Sequence, residues 1–322
     1  MWPIAAAAVI ALMFVFAFWR LATEPQHVDT SNYRFRPFAT EEYAEQSPVW
    51  SPDGKSIAYA ARPKTEWELT VKGVDGSAPA VVARSPQMIS QISWTPDGSR
   101  LYYIGARTAT GAGKLLSVAR AGGEPALVIE KDVHSAALSP DSRTLATVVI
   151  QEDANGLRQK VLTLSSPPGS KGKTASIFPG GLTPDTMAWS PDGSKILLSI
   201  RGDGNRILGN DLFLFNVGAG QLRKLGNVPS VIFVNPAWLR DNRRVIVAWP
   251  EDDSADRNNL WVLDTETGQR SPVLPDVESV NGPSVSPDGT VAYTSSPFDY
   301  DLVELPLDGS PACQTASSDE AV

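Results

Sequence analysis

The same short phrase returns six times along these 322 residues, at a nearly fixed interval, and few folds accommodate that. Its first copy is Ser47-Pro48-Val49-Trp50-Ser51-Pro52-Asp53-Gly54, followed by the apolar run Ile57-Ala58-Tyr59. It comes back as Trp94-Thr95-Pro96-Asp97-Gly98, Leu138-Ser139-Pro140-Asp141-Ser142 and Trp189-Ser190-Pro191-Asp192-Gly193. Weaker copies are Trp238-Leu239-Arg240-Asp241-Asn242 and Val285-Ser286-Pro287-Asp288-Gly289. Successive aspartates lie 44, 44, 51, 49 and 47 residues apart. Strand-like repeats of this period mark a β-propeller, with one four-stranded blade per repeat.

Each copy reads as a hairpin. Proline pre-sets φ for the second position of a type I turn, aspartate follows comfortably, and glycine takes the positive φ after it. The expected connection is a three-residue loop with a bulge. Asn242 can replace glycine because asparagine tolerates the left-handed region, whereas Ser142 predicts a looser third hairpin. The tryptophan three residues before the aspartate sits on the entering strand and is expected to pack between blades. Trp67, Trp249 and Trp261 fall outside that slot, and the sequence leaves them either inside blades or on loops.

The fold class expected is therefore all-β: a six-bladed propeller of four-stranded antiparallel blades, preceded by one transmembrane helix. Residues 1–20 read as the anchor, 21–31 as a linker, 32–309 as the propeller and 310–322 as a polar tail. The sixth repeat lacks a good fourth strand, since the residues after Gly309 are too polar. The alternating segment Asn32–Ala39 is expected to fill that place, because an unpaired edge is a liability.

Trp2 to Trp19 are uncharged and apolar, long enough to span a bilayer, with a tryptophan near each interface. A cleaved signal peptide is the rival, but neither a basic start nor a small-x-small cleavage site is clear. Arg20, Arg34 and Arg36 follow this segment, and the positive-inside rule would weakly hold the propeller in the cytoplasm.

The phrase Trp50-Ser51-Pro52-Asp53-Gly54-Lys55 with Ile57-Ala58-Tyr59, repeated at this spacing, resembles the WD-like repeat of TolB-type β-propellers over nearly all of residues 32–309. The arrangement of helix, tether and repeats is also similar to the extracytoplasmic half of bacterial winged-helix regulators and serine/threonine kinases. That resemblance implies a periplasmic or otherwise extracytoplasmic propeller, and it outweighs the three-arginine count. No glycine-rich nucleotide loop or kinase motif is present, so neither kinase nor DNA-binding activity is expected of this chain. Asp308-Gly309-Ser310-Pro311 resembles the lead-in to a further repeat.

The chemistry encoded is sparse. Net charge is −8 without clustered lysine or arginine, which argues against a nucleic-acid surface. Cys313 is the sole cysteine, so there is no disulfide framework within the chain. His27 and His134 are the two histidines, too few for a zinc site, and no Gly-x-Ser-x-Gly elbow is present. Gly111-Ala112-Gly113-Lys114 lacks the remainder of a phosphate loop. The acidic run Glu251-Asp252-Asp253 reads as a solvated turn rather than a calcium loop, and Arg201-Gly202-Asp203 as a chance tripeptide. The expectation is a protein that is not an enzyme and needs no cofactor or metal.

One positional signal points to binding. Seven residues before each turn aspartate stand Gln46, Ser90, His134, Asp185, Val234 and Asn281, and next to them Ser47, Gln91, Ser135, Thr186, Asn235 and Gly282. The entering strand is the innermost of a blade, so these positions should ring one mouth of the channel, a concave polar site for a protein or peptide. The plain alternative is that they hydrate a water-filled channel. The function expected is a membrane-anchored binding or sensing module. The runners-up are an accessory propeller of a peptidase or hydrolase, and a small-ligand sensor from a truncated signalling protein.

Overall fold

The computed structural model describes residues 33–39, 43–106, 112–153, 155–178, 182–201, 210–228, 235–250, 258–274, 280–295 and 299–304. The apolar segment 2–19, the linker, Val234, residues 202–203, the acidic run 251–256 and the tail lie outside them.

Every described element is a strand or a turn. β1 (Arg34–Ala39) is followed by a sheet of β2 (Ala44–Trp50), β3 (Ser56–Arg62), β4 (Trp67–Gly73) and β5 (Ala80–Ser85), in that order. Next come β6 (Ser90–Trp94), β7 (Arg100–Gly105), β8 (Gly113–Ala119), β9 (Ala126–Leu138), β10 (Leu145–Glu152), β11 (Arg158–Ser165) and β12 (Lys173–Phe178), joined in one seven-stranded sheet. Two more four-stranded sheets hold β13 (Thr183–Trp189) to β16 (Gln221–Val228), through β14 (Lys195–Arg201) and β15 (Asn210–Asn216), and β17 (Ala237–Trp238) to β20 (Arg270–Leu274), through β18 (Arg244–Pro250) and β19 (Asn258–Asp264). The last sheet runs β21 (Val280–Val285), β22 (Thr290–Ser295), β23 (Asp299–Glu304) and then β1.

All pairings are antiparallel. In the last sheet Arg34 faces Glu304 and Phe35 faces Val303, so both ends of the described chain meet at one edge. The first strands β2, β6, β9, β13, β17 and β21 follow one another in a closed circuit of contacts. The seven-stranded sheet comes from β9 serving twice. Its first half pairs with β8 through Leu127 and Ile129, and its second half pairs with β10 through Ala136 to Leu138. The charged Glu130-Lys131-Asp132 lie within this one strand, their side chains exposed.

The tryptophan slot holds the sheets together. Trp94 is buried with Leu69, Val71 and Val82 of the preceding sheet, and its Nε1 donates to Val49 O at 3.1 Å. Trp189 donates to Ala137 O at 2.9 Å and Trp238 to Ala188 O at 3.0 Å, in all three cases to the residue before the same slot one repeat earlier, whereas the buried Trp50 Nε1 makes no such bond among the described residues. A ring that buries its faces and satisfies its one donor suits such a junction. Trp249 and Trp261 join the cluster between the fourth and fifth repeats, and Trp67 the one between the first and second. Arg270 stacks over the first two at 4.4 and 5.6 Å, and Arg62 over Trp67 at 5.9 Å.

The repeated turns form as their chemistry requires, with two corrections. Ser286 N to Thr290 O closes the expected three-residue loop, but Ser51 N donates to Ser56 O and encloses four residues, as do the other turns. The added residue is held by the aspartate: Lys55 N and Ser99 N each donate to the turn carboxylate at 3.0 Å. All six turn aspartates accept this bond from two residues on. Ser142 adopts φ 58° and Asn242 φ 57°, and Ser139 N to Thr144 O is 2.8 Å, so the third hairpin is no looser than its neighbours. The same Ser139 hydroxyl and Arg143 amide bonds to Asp141 hold it in shape.

These bonds stabilise the charged carboxylates. The Thr95 hydroxyl, then the Ser99 amide, hold Asp97 down to about 2 from 3.8, and Asp53 is lowered chiefly by the Ser51 hydroxyl. A folded-state value below the unfolded one adds stability above the ordinary carboxylate range, and that stability is lost as pH falls. Urea unfolding should therefore show resistance falling from near pH 3.8 down through about 2. Asp97→Asn, which keeps an acceptor but no titration, should flatten part of that slope. An unchanged slope would refute the assignment.

Candidate functional site

The first strands enclose a cavity of about 360 Å³ on the axis of the circuit. Every repeat contributes to its wall, beginning with Ser47, Gln91, Ala136, Met187, Asn235 and Gly282. Below them it is lined by proline, alanine, valine and the tryptophan slot.

A distortion shared by the inner strands shapes this wall. Pairing slips between Gln46 and Val49, Ser90 and Ser93, Pro184 and Thr186, and Asn281 and Ser284. On β9 it slips where Val149 faces Val133 and Val148 faces Ser135. A bulge sets extra residues against the partner strand and re-aims the side chains beside it. Ser47 and Gln91 accordingly take φ 59° and 53°, uncommon for residues with a β-carbon, and Gly282 takes 56°. At Gly282 a β-carbon would meet Pro48 Cδ at 3.6 Å and Asn235 Nδ2 at 3.9 Å, so first, fifth and sixth repeats crowd together there.

On the opposite side, Gln91 ties three repeats. Its Nε2 donates to Asp185 O at 2.6 Å, and its Oε1 accepts from Ser135 Oγ at 3.2 Å. Asp185 Oδ1 accepts from Arg201 Nη2 at 3.1 Å in a pair whose acid is 8% exposed. The amide braces the mouth and fixes the acid's backbone.

The residues singled out from the sequence stand beside this wall. Gln46 pairs with Ala60 and Ser90 with Ile104, both half-buried on inner strands. His134 and Asp185 are buried where β9 and β13 bulge, and Asn281 faces Thr294 on β22. Of the two adjacent columns expected at the mouth, the second lines the cavity, at Ser47, Gln91, Asn235 and Gly282. A period-2 reading without bulges cannot choose between adjacent positions. The glycine in an otherwise polar column was the available signal.

An all-β fold of four-stranded antiparallel sheets set around a lined channel defines a propeller-like protein. No protein-family profile matches the chain. Over 48 residues it is 46% identical to the Tol-Pal system protein TolB of Bordetella pertussis, a match covering 15% of this chain and 11% of that relative. Among solved structures, the putative TolB from Agrobacterium tumefaciens superposes with a TM-score of 0.60 at 16% identity, covering 85% of this chain and 98% of that one. Oligogalacturonate lyase from Vibrio parahaemolyticus gives a TM-score of 0.54 at 11% identity, covering 86% and 98%. The chain is a TolB-like β-propeller, in a fold shared by structures named as TolB and as a lyase.

Proposed function

We propose that this chain is a membrane-anchored, non-catalytic propeller that binds a protein or peptide at the mouth of its channel. The reading counts six blades, with β9 serving two of them. The observation that carries it is the chemistry of the cavity wall. Its polar groups are the hydroxyls and amides of Ser47, Gln91, Ser93, Asn235 and Ser284, with no Asp, Glu, Lys, Arg or His among the described lining residues. Such a wall offers hydrogen bonds and apolar contact without an acid, a base or a strong nucleophile, which suits recognition better than turnover. A partial relative named for the Tol-Pal system supports a protein partner.

Filling the channel tests this. Ser47→Trp and Asn235→Trp should each abolish crosslinking to the partner that the unaltered chain captures from envelope extracts, while leaving the unfolding midpoint within a few degrees. A filled channel that still captures the same partner would remove the site. The anchor is read from residues 2–19 and the extracytoplasmic placement from the family resemblance. Protease should therefore reach the propeller once the outer barrier of intact cells is opened. Protection until the inner membrane is lysed would place it in the cytoplasm.

A further inference from the structure

Successive hairpins meet side by side at the end of the inner strands opposite the Gln91 mouth, and one junction lacks a group that another has. Between repeats 1 and 2, Arg120 crosses the gap. Its guanidinium lies 5.4 Å from the Trp94 ring centroid, Nη1 is 3.5 Å from Asp53 Oδ2, and Nη2 donates to Ser56 Oγ at 2.8 Å. Between repeats 3 and 4 the same surroundings recur, with Trp189 for Trp94, Asp141 for Asp53 and Thr144 for Ser56. The backbone fixes the correspondence. Arg120 N donates to Ser99 O at 2.8 Å, and Val217 N donates to the matching Ser194 O at 3.0 Å. Where the guanidinium would be, the chain places a valine.

The space it leaves is a cavity of about 360 Å³ lined by Asp141, Thr144, Trp189, Gly193 and Val217. Asp141 Oδ1 accepts from Ser139 Oγ at 2.6 Å and from Arg143 N at 3.0 Å, and among the described residues no hydrogen bond reaches Oδ2. Another junction, between repeats 4 and 5, is bridged by a cation of the chain itself: Lys195 Nζ donates to Asn242 O at 3.1 Å.

We propose that the junction between repeats 3 and 4 is a binding site for a guanidinium group, supplied by an arginine side chain of a partner protein. A planar fork can donate to Asp141 Oδ2 and Thr144 Oγ1 together while its face lies on the Trp189 ring, the arrangement Arg120 already makes within the chain. Ammonium would keep the charge but lose the second in-plane bond. The site shares Trp189 with the channel wall, but Asp141, Thr144 and Val217 line the junction and not the channel, so either reading can fail while the other stands.

The test titrates the folded full chain with N-acetyl-arginine amide and follows the indole N–H resonances of Trp189 and Trp94. Trp189 should shift saturably and Trp94 should not, because Arg120 fills its junction. Asp141→Asn should weaken the binding about tenfold, the size of one charge-assisted bond. Val217→Arg should abolish the Trp189 response by filling the cavity from within, and Arg120→Ala should open a second response at Trp94. N-acetyl-lysine amide should bind more weakly than the arginine compound. No saturable shift at Trp189, or a response unchanged by Val217→Arg, would overturn the proposal.

Discussion

Replacing Trp94 by alanine is expected to lower the free energy of unfolding by about 3–5 kcal/mol, the range for deleting a large buried ring. Its ring fills the junction between the first two sheets at 8% exposure, among Leu69, Val71 and Val82. Its Nε1–H satisfies Val49 O, and Arg120 rests on its outer face. Alanine therefore removes buried area, leaves the Val49 carbonyl without that donor, and strips a cation of its platform. Chemical denaturation at neutral pH measures the loss. Trp94→Phe should recover much of the packing and none of the hydrogen bond, leaving a deficit of roughly 1–2 kcal/mol. A Trp94→Ala protein as stable as the parent would mean that the junctions are not where the stability resides.

A chain that begins at Thr40 should be compromised still more. It would lack β1, and with it the pairing of Arg34 to Ala39 against β23. Ala39 at 1% exposure and the partly buried Phe38 pack with Trp50, Tyr59 and Ala292, while Tyr33 packs against the cluster of the fifth and sixth repeats. Loss of three such side chains and one ladder costs roughly 5 kcal/mol, comparable to the whole stability of many domains. The bared edge of β23 would also offer unpaired groups to other chains. The expected result is a protein that unfolds in low urea or elutes as oligomers, while a chain beginning at Asn32 behaves as the parent. Equal stability of the two would show that β1 contributes nothing to closure.

Much of this architecture was legible because its signals are local. Proline, aspartate and glycine choose a turn without help from the rest of the chain, and Ser51-Pro52-Asp53-Gly54 folds as its residues dictate. The tryptophan slot was legible as a column, though the carbonyl that Trp94, Trp189 and Trp238 each find one repeat earlier belongs to tertiary structure. Elsewhere the deciding information lay in a neighbouring strand. Glu130-Lys131-Asp132 carry no strand pattern of their own, and pairing on either side keeps them in β9. Sequence set both Gln46 and Ser90 and the neighbouring Ser47 and Gln91 at the channel mouth; which of each pair lines the wall depends on bulges and register, which no single strand encodes. The valine at 217 carries no message until Arg120 shows what that position can do.

The continuity of β9 bears on where this ring could be cut and rejoined. Because β1 and β23 lie side by side, the two termini could be stitched together and the polypeptide reopened elsewhere. New ends at the exposed Asp75-Gly76 turn would sever only a surface reversal. New ends between Glu130 and Lys131 would divide a strand that two sheets hold in common, leaving each with half an edge. A permuted ring should therefore survive the first incision far better than the second.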